Sequence, residues 1–148
     1  METISSTWSS EQSCRLLGCG VDLETVDRFQ DLSEASDSEA SDFPMPFVFT
    51  KGEITHARQQ AEAARALCVC FSCKEAVRKA VGVPYNYTEC EAFPVFQKES
   101  LAFEGTLLFS DDFRKSTGIC EGYLRSAPLN AEALEQWTAV LLYANGAF

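Results

Sequence analysis

Histidine occurs once in the 148 residues, methionine twice and proline five times, and basic residues are outnumbered by acidic ones, 12 to 22. The shortage of lysine and arginine gives a formal net charge of −10 and leaves no broad basic face, which argues against nucleic acid as a partner. No stretch reaches the roughly 18 consecutive apolar residues of a membrane span, so no membrane association is expected. The opening METISSTWSSEQ lacks a basic n-region and an apolar h-region and is no secretory signal, which places the chain in the cytoplasm. Seven cysteines, an odd number, read in a reducing compartment as mostly small buried apolar side chains. Cys68, Cys70 and Cys73, with the lone His56 as a fourth candidate ligand, lack the spacing of a zinc knuckle and point different ways in a helical pattern. His56 itself reads as a helix-surface residue.

What is present is a globular composition, 46% apolar and 11% aromatic, in a length that suits one domain over residues 1–148. Charge is unevenly spread. Residues 1–42 hold ten acidic and two basic residues, whereas residues 51–79 set Lys51, Arg58, Arg65, Lys74, Arg78 and Lys79 against Glu53, Glu62 and Glu75. A locally positive middle in an acidic molecule permits one anionic ligand site.

Residues 1–12 are polar and expected to be loose. Arg15–Leu23 is a short apolar run read as a central or edge strand, with Asp22 at its end, and Glu24–Gln30 predicts a short helix exposing Arg28. Residues 31–46, DLSEASDSEASDFPMP, predict a flexible acidic loop, because serine and acid cannot bury enough apolar surface to order themselves. Thr50 and Glu53 form a capping box ahead of a 3–4 spaced stripe of Ile54, Ala57, Ala61, Ala64 and Cys68. Nothing breaks the helical pattern before Gly82, and helix-length base rates place a break near Ala66–Cys70. Val69, Cys73, Ala76, Val77 and Ala80 then make one apolar stripe, while Phe71, Glu75, Arg78, Lys79 and Gly82 share another face. Glu75 and Lys79 are an i, i+4 pair in the favourable order, and Gly82-Val83-Pro84 stops the helix. Strands are predicted over Tyr85–Val95, around Leu101–Phe109 with a turn at Glu104-Gly105, over Ile119–Arg125 and over Trp137–Ala144. The last is apolar on both faces and so central. A helical turn at Asp111–Gly118 and a small helix at Asn130–Gln136 complete an α+β fold.

Three blocks in order, GVDLETVDRF (Gly20–Phe29), FTKGEI (Phe49–Ile54) and FSCKEAVRKAVG (Phe71–Gly82), resemble the 4'-phosphopantetheinyl transferases of the holo-[acyl-carrier-protein] synthase type. The resemblance implies a long helical region packed on a small antiparallel sheet. It also implies transfer of phosphopantetheine from coenzyme A to a serine of an apo acyl or peptidyl carrier protein, in fatty-acid or polyketide biosynthesis. By the same resemblance Asp22 and Glu75 are the magnesium ligands, and Lys79 is a catalytic cation that also binds the pyrophosphate of coenzyme A. Lys74 is a second phosphate contact, Arg28 meets the acidic helix of the carrier, Glu91 is an outer-shell group, and the molecule is a homotrimer. Magnesium suits the donor set, since it takes one or two carboxylates together with substrate phosphates. The base for the serine hydroxyl is either Glu75 or a metal-bound water.

Three departures accompany the resemblance. Cys70 stands where the family usually has an arginine. Leu124-Arg125-Ser126-Ala127-Pro128 replaces an S-x-S-H segment, leaving Arg125 as the candidate for the lost positive charge at coenzyme A. An acidic carrier would also meet an acidic enzyme. They motivate an alternative, a catalytically impaired member that binds coenzyme A or a protein partner. An unrelated α+β interaction domain would lack Asp22 beside Glu75.

Overall fold

The computed structural model describes residues 14–34, 47–100, 102–130 and 134–145. The expected loose N-terminus and most of the expected acidic loop lie outside them. Within that loop, residues 31–34 belong to a short helix.

Among the described residues six strands form one antiparallel sheet: β1 (Cys14–Thr25), β2 (Cys90–Ala92), β3 (Val95–Gln97), β4 (Ala102–Phe109), β5 (Glu121–Pro128) and β6 (Glu135–Asn145). Their order is β1-β6-β5-β4-β2, with β3 also on β4. The apolar run at Arg15–Leu23 is thus an edge strand, and Trp137–Ala144 lies inside the sheet. The helices are α1 (Gln30–Glu34), α2 (Lys51–Arg58), α3 (Ala63–Val81) and α4 (Asp111–Thr117), and 3-10 turns cover Val26–Phe29 and Tyr87–Glu89.

α3 is the central element. Every residue from Ala66 to Lys74 is buried, because β1 and β6 cover one side of the helix while the Val26–Phe29 turn, α1 and α2 cover others. Phe29 packs between Phe49 and Phe71 at ring separations of 6.2 and 5.6 Å. The approach of α3 to β1 is close enough to require glycine: a Cβ at Gly20 would lie 2.0 Å from the Ala76 carbonyl oxygen. At its far end α3 is capped by Gly82 in the left-handed conformation.

Several local expectations are corrected. The helical break falls at residues 59–62, one to two turns before Ala66–Cys70. There the Gln59 and Gln60 amides tighten onto His56 and Ala57, and the Gln60 side chain accepts from the Phe96 amide at 3.2 Å. Glu104-Gly105 is no turn but the middle of β4. The Tyr85–Val95 strand is instead a 3-10 turn followed by β2 and β3, which run in one register along β4 with Phe93-Pro94 between them. Pro94 cannot donate to the ladder, and the Phe93 carbonyl crowds Gly105, where a Cβ would approach to 2.8 Å. The small helix at Asn130–Gln136 gives way to β6, which begins at Glu135; residues 131–133 are outside the described set. No helix among the described residues is long and apolar enough to cross a membrane.

Candidate active site

The capping box forms as the sequence predicts: Thr50 Oγ1 accepts from the Glu53 amide and Glu53 Oε1 accepts from the Thr50 amide. It turns Glu53 into the core, where the carboxylate is fully buried against Lys74 Nζ at 2.6 Å. Lys74 Nζ also donates to the carbonyls of Val48 at 2.6 Å and Tyr87 at 2.9 Å. Three donors meet three acceptors, so Lys74 is not at the surface where a phosphate would reach it, and the phosphate contact expected from the resemblance is corrected to a structural tie. Burial raises the Glu53 carboxyl above its ordinary value, against the lowering effect of Lys74 and of the backbone donors.

Ser72, Glu75 and Lys79 recur on one face of α3, opposite β1. Asp22, with a side chain only 11% exposed, spans that face: Oδ1 accepts from Lys79 Nζ at 2.7 Å and Oδ2 from Ser72 Oγ at 3.1 Å. Lys79 also donates to the Val21 carbonyl at 3.2 Å. Glu75 sits on the helix between the two residues that hold Asp22, and its Oε1 accepts from the Tyr87 hydroxyl at 2.5 Å. Burial and the Glu75 carboxylate raise the Tyr87 phenol, which keeps it a donor. Beside Glu75 opens a cleft of about 420 Å³ whose lining includes Arg78, Pro84, Tyr85 and Tyr87. The fold therefore brings Asp22 and Lys79 into direct contact and sets Glu75 on the same helix face.

The remaining candidates lie apart. Arg28 pairs with Glu24 at 2.7 Å and lies over the Phe71 ring at 5.3 Å, half-exposed on the outside of the Val26–Phe29 turn. Arg125 points from the outer face of β5, 71% exposed and 3.6 Å from Glu104. That is the sheet face away from α3, so within one chain Arg125 does not reach the Asp22–Lys79 pair. Glu91 accepts from Thr50 Oγ1 at 2.7 Å and serves the start of α2. Cys70 is buried on the opposite side of α3 from Glu75 and donates to the Ala92 carbonyl at 3.4 Å, so the departure at this position falls in the core. Cys68 and Cys73 are buried as well, and burial pushes the Cys68 thiol up to about 12. His56 bonds the Pro94 carbonyl at 2.8 Å and meets the Phe93 ring edge-on, which ties α2 to the β2–β3 corner. Ser126 is locked among Gln136, Thr138 and the Trp137 carbonyl. Sequence reasoning missed Ser72 and Tyr87, whose contacts reach across fifty and twelve residues; no local pattern marks either.

The family model of the 4'-phosphopantetheinyl transferase superfamily matches residues 18–128, three quarters of the chain and all of the blocks that build this site. The chain belongs to the 4'-phosphopantetheinyl transferase superfamily. Among solved structures it is similar to the holo-ACP synthase of Plasmodium yoelii, at 18% identity and a TM-score of 0.60 over 90% of this chain and 98% of that one. The holo-[acyl-carrier-protein] synthase of Neisseria meningitidis gives 16% identity and a TM-score of 0.59, covering 86% and 98%. The Plasmodium yoelii acyl carrier protein synthase with ADP bound gives 17% and 0.58, covering 92% and 99%. No curated protein matches. The fold is thus that of the holo-ACP synthases, and membership makes the chain a phosphopantetheinyl transferase. The family takes coenzyme A as substrate, uses a divalent metal and acts on a carrier protein.

Proposed function

We propose that this chain moves the 4'-phosphopantetheine group from coenzyme A to a serine of an apo carrier protein, with magnesium held by Asp22 and Glu75. The observation that carries the reading is the seam between β1 and α3, where Asp22 meets Lys79 at 2.7 Å and Ser72 at 3.1 Å, the residues about one turn to either side of Glu75. The donor set fits the metal. No group of three or more metal-ligating side chains occurs among the described residues, and a pair of carboxylates completed by phosphate oxygens and water is the coordination magnesium favours. When bound, the dication neutralises the diphosphate and its departing half.

The protein's own groups divide the rest of the work. Lys79 brings an ammonium to the diphosphate as negative charge grows on the leaving adenosine bisphosphate. Arg78, at the cleft beside Glu75, adds a second cation. The serine oxygen bonds to the β-phosphorus as the bridging P–O bond breaks, and its proton passes to Glu75 or to a water of the site. Arg28 is the proposed contact for an acidic carrier. The acceptor belongs to fatty-acid or polyketide synthesis, and unpaired thiols suit a cytoplasmic setting. A homotrimer is supported by the outer sheet face, where Val21, Leu23, Tyr123 and Leu141 are exposed among the described residues.

A second reading, a member that binds coenzyme A without turnover, is favoured by one observation: Arg125, paired with Glu104 on the outer sheet face, cannot within one chain replace a missing histidine. Mass spectrometry decides between the two. Apo carriers incubated with the protein, coenzyme A and magnesium gain the phosphopantetheine mass on serine, lose that gain with EDTA, and show none with Asp22→Ala or Glu75→Ala of native circular dichroism. Calorimetric binding of coenzyme A without any gain of mass establishes the second reading instead.

A further inference from the structure

Tyr87 touches two consecutive residues of α3 by two different groups. Its backbone carbonyl accepts from Lys74 Nζ at 2.9 Å, and its hydroxyl donates to Glu75 Oε1 at 2.5 Å. The first contact fixes the residue in place, because Lys74 is itself tied to the buried Glu53 and to Val48. The 3-10 turn that carries Tyr87 is closed by Asn86, whose side chain accepts from the Thr88 amide at 3.2 Å. The ring is packed against Tyr85 at 5.0 Å. A phenol anchored at both ends of its residue is a rigid donor.

Glu75, by contrast, is a half-buried helix glutamate with three side-chain torsions to fix, and a free glutamate loses rotamer freedom when it is held. We propose that Tyr87 is a positioning residue for Glu75: its hydroxyl takes one carboxylate oxygen and holds the other, Oε2, as the single ligating atom. This rests on the reading of Asp22 and Glu75 as a metal pair. Asp22 is held differently, with Lys79 on Oδ1 and Ser72 on Oδ2, but it too is oriented before the metal arrives. Outer-shell partners of this kind are typically worth 10–100-fold in metal affinity.

Tyr87→Phe removes the hydroxyl, with its bonds to Glu75 and Arg78, and keeps the Lys74 contact, which is to the backbone. Electron paramagnetic resonance of free manganese in titrations of the full chain is expected to show about tenfold weaker binding by Y87F than by wild type, at a melting temperature within a few degrees. Equal manganese affinity of the two proteins overturns the assignment while leaving the metal pair intact. No manganese binding by the wild type overturns the metal reading itself, and the assignment with it. Wild-type protein supplies a readout that needs no variant: magnesium perturbs the ultraviolet absorption of a phenol bonded to its ligand, and a titration without a tyrosine difference band counts against Tyr87.

Discussion

Lys74 and Lys79 belong to one motif and do opposite things. Lys79 is more than half exposed and holds Asp22, whereas Lys74 is fully buried and holds Glu53. Removing one partner of a buried pair strands the other charge, at a cost of about 3–5 kcal/mol. Lys74→Met should therefore lower unfolding free energy by that amount in urea titrations. Lys79→Met removes the exposed partner of a carboxylate that keeps its Ser72 donor, so it should lower unfolding free energy less than Lys74→Met does and still abolish transfer. Helical spacing alone set Glu75 and Lys79 on one face, and Asp22 was pointed to by the resemblance of the three blocks to the family. Neither could separate the jobs of the two lysines. Which way Lys74 turns is decided by Val48, Glu53 and Tyr87, residues outside its own helix.

Between elements, the decisive contact is β1 on α3. Gly20 opposes Ala76 so closely that a methyl group has no room, and overpacking of this kind costs about 1–3 kcal/mol. Gly20→Ala is expected to cost stability in that range. It should also cost more transfer activity than the stability loss explains, since any retreat of β1 carries Asp22 away from Ser72 and Lys79. Denaturation and single-turnover transfer measured on the same preparation check both parts. The elements themselves were mostly legible: the capping box, the Gly82 stop and the two-sided apolar β6 all follow from local pattern. The misread boundaries share a cause. Gln60 ends α2 because it is recruited by Phe96, and β2 and β3 are parted by Pro94 facing Gly105; both are tertiary facts that leave no mark on periodicity.

For the whole molecule, buried thiols set the alkaline limit. Burial pushes Cys68 and Cys90 up to about 12 from 9.0, and Cys70 and Cys73 are raised likewise. These are groups raised in the folded state, so their stabilisation is complete below the unfolded value near 9 and is lost as pH climbs towards the folded value. Each should contribute a slope of about 1.4 kcal/mol per pH unit within that window. Urea midpoints should stay level from neutrality to near pH 9 and fall beyond it, and Cys68→Ala or Cys90→Ala should flatten the fall.

The sheet order has a consequence in time. Among the described residues β1 pairs only with β6, so Asp22 lies opposite Thr138, on a strand that follows every other strand of the sheet in sequence. At synthesis rates of about 5–20 residues per second, on the order of ten seconds separate the two partners on the ribosome. Contacts this distant in sequence are slow to form. The strand bearing the first carboxylate of the site is thus made before its neighbour, and the site is complete only when β6 arrives.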